Sequence, residues 1–321
     1  MKVNAVKYLA CPDCAADLEL HAEEGSEDIE KGYLRCRNCG SEYPITDGVP
    51  RFVKSELTQE EEGTANSFAY AWKHYGPVIS SGLNREFLER LPPWTPEDFK
   101  GKIVLDAGCG AGRLSRLVSE FGAKEVFAID VGKAVDAAKS ISEKYPNINF
   151  IQANLFRLPF KLKFDIVFSM GVLHHTPDPA VAFKSIVKPL KKGGKVGIWV
   201  YAQEGNEVMG VIFNLFRHIT VRLNNTTKSS LAKGIVTLEE RVYSILNKFT
   251  TNYHYSEYFH YFNNRLSKID RHYIAFDFLS TPIVHYITHN ELKNFLKEAK
   301  VDQVSILRVN DNSYGVTAVK A

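Results

Sequence analysis

No stretch of the 321 residues approaches the ~20 consecutive apolar positions of a membrane-spanning helix. No basic start leads into an apolar run and a small-residue cleavage site either, so the sequence reads as that of a cytoplasmic chain. Cysteine is scarce, and five in the whole sequence exclude a disulfide-stapled scaffold. An excess of charge is also missing. Lys and Arg number 40 against 37 Asp and Glu, a net +3 that is too slight to grip nucleic acid by charge alone. Residues 1–60 lean the other way, with 7 basic against 12 acidic side chains, a balance of −5. What the chain does have is 45% hydrophobic and 12% aromatic content, enough at this length for a full core and about two domains.

Four of the five cysteines, Cys11, Cys14, Cys36 and Cys39, make the pattern C-x2-C-x21-C-x2-C. Two tight pairs each clamp one side of a tetrahedral ion, and about twenty residues between them suit a short β-hairpin joining two metal-binding turns. One structural zinc is expected, with thiolates filling all four positions. Free thiols or disulfides are the competing assignment, disfavoured in a cytosolic chain. Gly40 and Asp47-Gly48 supply turn chemistry, and "HAEEGSEDIEKG" (21–32) reads as the exposed tip. Cys109 lies inside a glycine turn that requires a small side chain, and is assigned to packing. With Tyr43, Pro44, Asp47, Gly48 and Pro50 added to the cysteines, residues 8–53 resemble the small zinc-ribbon modules of the tRNA-methyltransferase activator type.

The stretch "VLDAGCGAGRLS" (104–115) places Gly108, Gly110 and Gly112 at alternate positions after an aspartate that ends an apolar run. A strand that turns at once into a helix needs tolerance of positive φ and a backbone bare enough for a ligand to approach. The spacing G-x-G-x-G, about a hundred residues into the chain, departs from the dinucleotide fingerprint G-x-G-x-x-G. From Lys102 onward strands and helices alternate: strands at 102–106, 125–129 and 148–152, helices at 112–121 and 133–144, a strand "FDIVFSM", a helix at 178–190 and a strand "KVGIWVY". A doubly wound, Rossmann-like α/β sheet is expected. The chain ends in the helix "THNELKNFLKEAK" and the segments "VDQVSILRV" and "GVTAVK", joined by a turn so short that the two strands must be antiparallel. The prediction is a mostly parallel seven-stranded sheet with a terminal antiparallel hairpin.

Together with "VFAID", "NLFRLPF", "FDIVFSMGVLHHTPDP" and "LKKGGKVGIWV", this arrangement resembles the class I S-adenosylmethionine-dependent methyltransferases over residues 101–204 and 286–321. The resemblance implies that Asp106 and the turn Gly108–Gly112 face the methionine part of S-adenosylmethionine, and that Asp130 accepts both ribose hydroxyls. Asn154, where the family often has Asp, would accept the adenine amino group at a cost of about 1 kcal/mol. Val131, Leu155, Phe156 and Met170 complete the expected cofactor wall, with Phe156 equally suited to ordinary core. His174 and His175 follow the fourth strand at the mouth of the same cleft. A histidine there can take a proton from an acceptor hydroxyl or amine, or simply form wall, and His175 is the candidate base.

Residues 205–282 exceed what the minimal fold needs. An insertion beside a cofactor cleft reads as a lid or acceptor-binding wall that excludes water. "NEVMGVIFNLFRHITVRL" (206–223) is apolar enough for a core, lid or interfacial helix, with core or lid expected. "YHYSEYFHYF" (253–262) puts Tyr255, Phe259 and Phe262 on one helical face, a pattern of core more than of binding surface. Five of the ten histidines fall between His254 and His289, at spacings that match no metal motif. Pro282 ends any helix before His285, Tyr286 and His289, leaving them on an approach segment. His285 is the second candidate catalytic residue, through contact with the acceptor, and His289 is equally placed near the cap of a helix starting at Thr288.

The expected organisation is a zinc ribbon at 1–54 with its own core, a helical linker or cap at 55–100, the cofactor domain at 101–204 and 283–321, and a helical, aromatic-rich insertion at 205–282. The expected function is methyl transfer from S-adenosylmethionine to a small-molecule or lipid-linked acceptor. RNA methylation is the alternative, because some ribosomal RNA guanine methyltransferases also join a zinc ribbon to this fold. The acidic ribbon and the lack of a basic face weigh against a nucleic-acid partner. A non-catalytic cofactor-binding scaffold is a further alternative, opposed by the intact glycines and Asp130. The glycine spacing and terminal hairpin disfavour a nicotinamide oxidoreductase.

Overall fold

Strands covered on both faces read as continuous apolar runs, and "KIVLDA", "EVFAI" and "FDIVFSM" lie side by side at the centre of the molecule. The computed structural model describes residues 1–22, 28–53, 57–75, 82–161, 163–249 and 262–321. Four short strands, β1 (Leu18–Ala22), β2 (Gly32–Cys36), β3 (Glu42–Thr46) and β4 (Val49–Pro50), pair antiparallel in chain order. Seven more form the main sheet: β5 (Ile103–Ala107), β6 (Glu125–Asp130), β7 (Ile148–Gln152), β8 (Phe164–Met170), β9 (Leu190–Tyr201), β10 (Val301–Val309) and β11 (Ser313–Lys320). Their order is β10-β11-β9-β8-β5-β6-β7. The five strands from β9 to β7 are parallel, and the β10–β11 hairpin is antiparallel, with β11 against β9. Strand order reverses at β5 and β8, which opens a crevice beyond their carboxyl ends.

The helices are α1 (Gln59–Tyr75), α2 (Gly82–Glu89), α3 (Pro96–Phe99), α4 (Arg113–Glu120), α5 (Ala134–Ser140), α6 (Pro179–Val187), α7 (Glu207–Thr220), α8 (Asn225–Phe249), α9 (Lys268–Ser280) and α10 (His289–Glu298). Two boundaries differ most from those expected. α5 stops at Ser140, because Tyr145 turns back onto the Ser142 carbonyl just ahead of Pro146. β9 starts at Leu190, and the pairing slips between Phe164–Leu190 and Ile166–Lys195, so residues 191–194 are absorbed as an irregularity of the strand.

The ribbon does not keep a separate core. Leu9, Leu34, Tyr43 and Phe52 pack in one apolar cluster with Leu105, Phe127, Ile129 and Ile151 of the main sheet. Backbone bonds stitch the seam, from Phe52 N–H to the Gln152 carbonyl at 2.8 Å and from Ala10 N–H to Pro159 at 3.0 Å. Arg51, largely buried, pairs with Asp136 at 2.5 Å, and Arg157 pairs with Asp13 at 2.7 Å.

A roof over the crevice comes from two distant segments. α1 begins with a reciprocal cap, Thr58 N–H to the Glu61 carboxylate at 2.8 Å and Glu61 N–H to Thr58 Oγ1 at 3.2 Å. It packs on α9 through Ala71, Tyr75, Ala275, Phe276 and Leu279, joined by Ala232 and Val236 of α8. Of the core and lid roles expected for α7, the core role is not met. Its Leu215 and Ile219 are each 67% exposed, while Arg217 and Thr220 face inward. Of the aromatic stretch 253–262, Tyr255, Phe259 and Tyr261 lie outside the described residues; Phe262 is buried.

Candidate active site

At the end of β5 the chain passes through Gly108 (φ 94°) and Gly110 (φ 51°) before entering α4. A Cβ on Gly108 would stand 2.4 Å from Val172, and one on Gly110 would stand 2.5 Å from the Trp72 indole nitrogen. Both positions therefore require bare backbone. Beside them lies a cavity of about 250 Å³ roofed by α1 and α9. Asp106, Gly108, Gly110, Asp130, Val131, Asn154, Leu155, Phe156 and Met170 all line it, as does Cys109. Gly112 does not line it: at φ 69° it caps α4, where a Cβ would stand 2.8 Å from Phe150 and 3.2 Å from Ala138.

Asp130 ends β6 with both oxygens engaged. Gly110 N–H donates to Oδ2 at 2.9 Å and Gly132 N–H to Oδ1 at 2.8 Å. A carboxylate has about four acceptor positions, so these two bonds leave it able to accept further donors. Burial pushes this carboxyl up while the backbone N–H groups pull it down. Asn154 Oδ1 accepts the Phe156 N–H at 2.9 Å and retains a second lone pair. Asp106 is fully enclosed and accepts from Ser115 Oγ at 2.6 Å; burial pushes its carboxyl up to about 7 despite that bond. An ammonium group bound there would replace the missing solvation.

The opposite end of the cavity holds a histidine and a carboxylate. His175 Nδ1 lies 2.9 Å from the Ile283 carbonyl, which can only accept, so Nδ1 carries the proton and Nε2 a lone pair. Nε2 stands 4.0 Å from Asp277 Oδ2. Burial lowers the His175 pKa, Asp277 and the Ile283 carbonyl raise it in part, and Arg217 and His285 lower it again. The ring is therefore neutral at physiological pH. Asp277 is itself held by Thr281 Oγ1 at 2.7 Å and Tyr201 Oη at 3.3 Å. His174 is fully buried against the Tyr201 ring, with centroids 4.1 Å apart, and does not line the cavity.

His285, expected at the acceptor, has an exposed side chain and is not among the cavity-lining residues; its backbone N–H donates to the His174 carbonyl at 2.8 Å. His289 starts α10 behind the Thr288 cap and gives its N–H to Glu204 at 3.0 Å. Several lining residues were not singled out from the sequence. Phe68 and Trp72 come from α1, Tyr201 from the end of β9, and Tyr273 and Asp277 from α9. Arg113, in the first turn of α4, also lines the cavity, and burial lowers its pKa to about 10. Only Arg113 had a signal, its place directly after the glycine turn.

The four ribbon cysteines converge, with all Sγ atoms within 4.8 Å of one another, Cys14 and Cys36 3.4 Å apart and Cys11 and Cys39 3.7 Å apart. Tetrahedral zinc with Zn–S bonds of about 2.3 Å has S–S edges near 3.8 Å, so the donor set fits zinc with no position left open. Asn38 and Cys39 N–H groups point at Cys36 Sγ at 3.4 Å each, and Tyr43 Oη contacts Cys11 Sγ at 3.1 Å while donating to Asp13. These contacts orient the sulfurs and disperse thiolate charge.

Residues 105–198 match the model of a methyltransferase domain, and residues 7–48 match that of the Trm112p-like protein. Over 117 residues the chain is 32% identical to tRNA U34 carboxymethyltransferase of Idiomarina loihiensis, covering 35% of this chain and 36% of that protein. It is 38% identical over 100 residues to ubiquinone biosynthesis O-methyltransferase of Coxiella burnetii, covering 30% and 42%. It is 28% identical over 179 residues to cycloartenol-C-24-methyltransferase 1 of Oryza sativa subsp. japonica, covering 52% and 50%. The chain thus spans half or less of the length of these relatives. Its 105–198 segment is a methyltransferase domain, joined to a Trm112p-like module with a zinc-type cysteine cluster.

Proposed function

We propose that the chain methylates a hydroxyl or amine of a small-molecule or lipid-linked acceptor, with His175 as the base. The observation that carries this is the His175 tautomer: with Nδ1 committed to Ile283, the Nε2 lone pair faces Asp277 inside the cavity. Asp130 would hold the ribose, Asn154 the adenine edge, and Val131, Leu155 and Phe156 the adenine faces. Asp106 would pair with the methionine ammonium and Arg113 with its carboxylate. When bound, S-adenosylmethionine supplies an activated methyl on a sulfonium. The chain's own contribution is alignment, which can supply ~7 kcal/mol or more, together with exclusion of water by Phe68, Trp72 and Tyr273. His175 Nε2 takes the acceptor proton, and the Asp277 carboxylate steadies the imidazolium so formed. The ubiquinone and cycloartenol methyltransferases among the relatives support a lipid acceptor.

A second acceptor class, RNA, is supported by the tRNA U34 relative. The −5 balance of residues 1–60 opposes it. Incubation with methyl-labelled S-adenosylmethionine and a cell extract, followed by separation into RNA, protein, lipid and small-molecule fractions, decides between them. Label is expected in the lipid or small-molecule fraction. Label in RNA would replace this proposal by the second one, and no label in any fraction would leave a cofactor-binding scaffold.

A further inference from the structure

Of the large apolar side chains that are exposed among the described residues, fourteen in all, nine lie on α7 and α8. On α7, Val211, Leu215 and Ile219 recur every fourth residue and share one outward face with Phe216. The ordinary polarity of a surface helix is inverted there, since Arg217 is buried and Thr220 Oγ1 donates inward to the Leu279 carbonyl at 2.8 Å. On α8, Leu231, Ile235, Leu238, Val242 and Ile245 fall at i, i+4, i+7, i+11 and i+14, a single stripe that includes Leu238 at 64% exposure. Scattered surface apolar residues need no explanation, but two helix faces of them mark an interaction site. Both helices pack on α9, whose other residues Tyr273, Ile274 and Asp277 line the cavity.

Most of the charges around these faces are sorted by sign. Glu239 and Glu240 of α8 turn toward α9, where Arg271 and Lys268 take them at 2.7–3.8 Å. Arg222 and Arg241 are exposed and take no carboxylate partner among the described residues, against one exposed acidic side chain, Glu207 in the first turn of α7. A second copy of the chain meeting these faces across a two-fold axis would bring like charges together. An anionic lipid surface neutralises them and accepts the apolar side chains. No helix among the described residues is long and apolar enough to cross a membrane, so the contact is with the surface.

We infer that α7 and α8 dock the protein on an anionic lipid bilayer and hold the cavity at the membrane surface. This deepens the lipid-acceptor proposal above and rests on it for its purpose, but vesicle binding itself is measured without methyl donor or acceptor. The full chain is sedimented with vesicles of mixed phosphatidylglycerol and phosphatidylcholine, and with phosphatidylcholine alone. The wild type is expected to pellet with the anionic vesicles and to be released by salt. Leu215→Glu with Ile219→Glu is expected to abolish pelleting. Arg222→Gln and Arg241→Gln should each weaken it roughly fivefold, the fold-change equivalent to about 1 kcal/mol per basic residue. Unchanged S-adenosylmethionine affinity verifies that each variant is folded. A wild type that stays in solution with anionic vesicles overturns the inference, as do variants that pellet like the wild type. A wild-type dimer that Leu215→Glu with Ile219→Glu dissociates would assign the faces to a second copy and overturn it too. Vesicle binding without label in any lipid would remove the lipid-acceptor proposal and leave the docking intact.

Discussion

If Asp130 holds the ribose as proposed, its loss can be worked through quantitatively. Its two oxygens accept backbone N–H groups from Gly110 and Gly132 and keep capacity for further donors. Two ribose hydroxyls donating to them would form charge-assisted bonds of ~1.5 kcal/mol or more each. Asp130→Ala should therefore cost about 3 kcal/mol of binding, roughly a 150-fold rise in Kd for S-adenosylhomocysteine. The same change orphans two N–H groups of the glycine turn, so part of the loss could come from a disturbed loop rather than a lost contact. A thermodynamic cycle separates the two. The deoxyribose counterpart of S-adenosylhomocysteine should bind the wild type at least about tenfold more weakly than the parent, yet bind Asp130→Ala no more weakly than the parent does. Calorimetry on both ligands and both proteins reads this directly. If the variant still discriminates between the ligands as the wild type does, Asp130 does not hold the ribose.

Asp106, with its carboxyl pushed up to about 7, must ionise to pair with the methionine ammonium. Affinity for S-adenosylmethionine should rise roughly fivefold from pH 6 to 7.5, until the ligand's own ammonium begins to deprotonate, and Asp106→Asn should flatten that rise. In the free protein the sign is opposite: a carboxyl raised above its unfolded value near 4 contributes stability below that pH, lost as pH climbs through 7. Melting curves of wild type and Asp106→Asn across pH 4–7 test it, and parallel curves would refute it. Cys36→Ala, or zinc removal by a chelator, should lower the main melting transition by about 10 °C or more, because the ribbon shares its core with the sheet; a separate early transition with the main one unmoved would contradict that. His175→Ala should cut kcat about a hundredfold with S-adenosylmethionine affinity within about twofold, and equal losses in both would make His175 a wall residue.

Much of the protein was legible before folding was considered. The strand and helix order followed from apolar periodicity, the terminal hairpin from the shortness of "NDNSYG", and the metal cluster from two C-x2-C pairs. These are local rules: a four-residue spacing, a two-residue period or a tight turn acts within one segment of chain. Asp106 and Asp130 belong to the same class, since each ends a strand and strand ends define the crevice of an open sheet. What depended on segments far apart was not legible. Asp277 reaches His175 across 102 positions only because α9 folds back over the sheet. Trp72 covers Gly110 only because α1 packs on α9. His285 and His175 looked alike as candidates, and burial by neighbours more than a hundred residues away placed one in the cavity and left the other in solvent. The apolar run of α7 states that a helix has a hydrophobic face but not which way it points. That direction was decided by Arg217 and Thr220 finding places inside, which turned Leu215 and Ile219 outward.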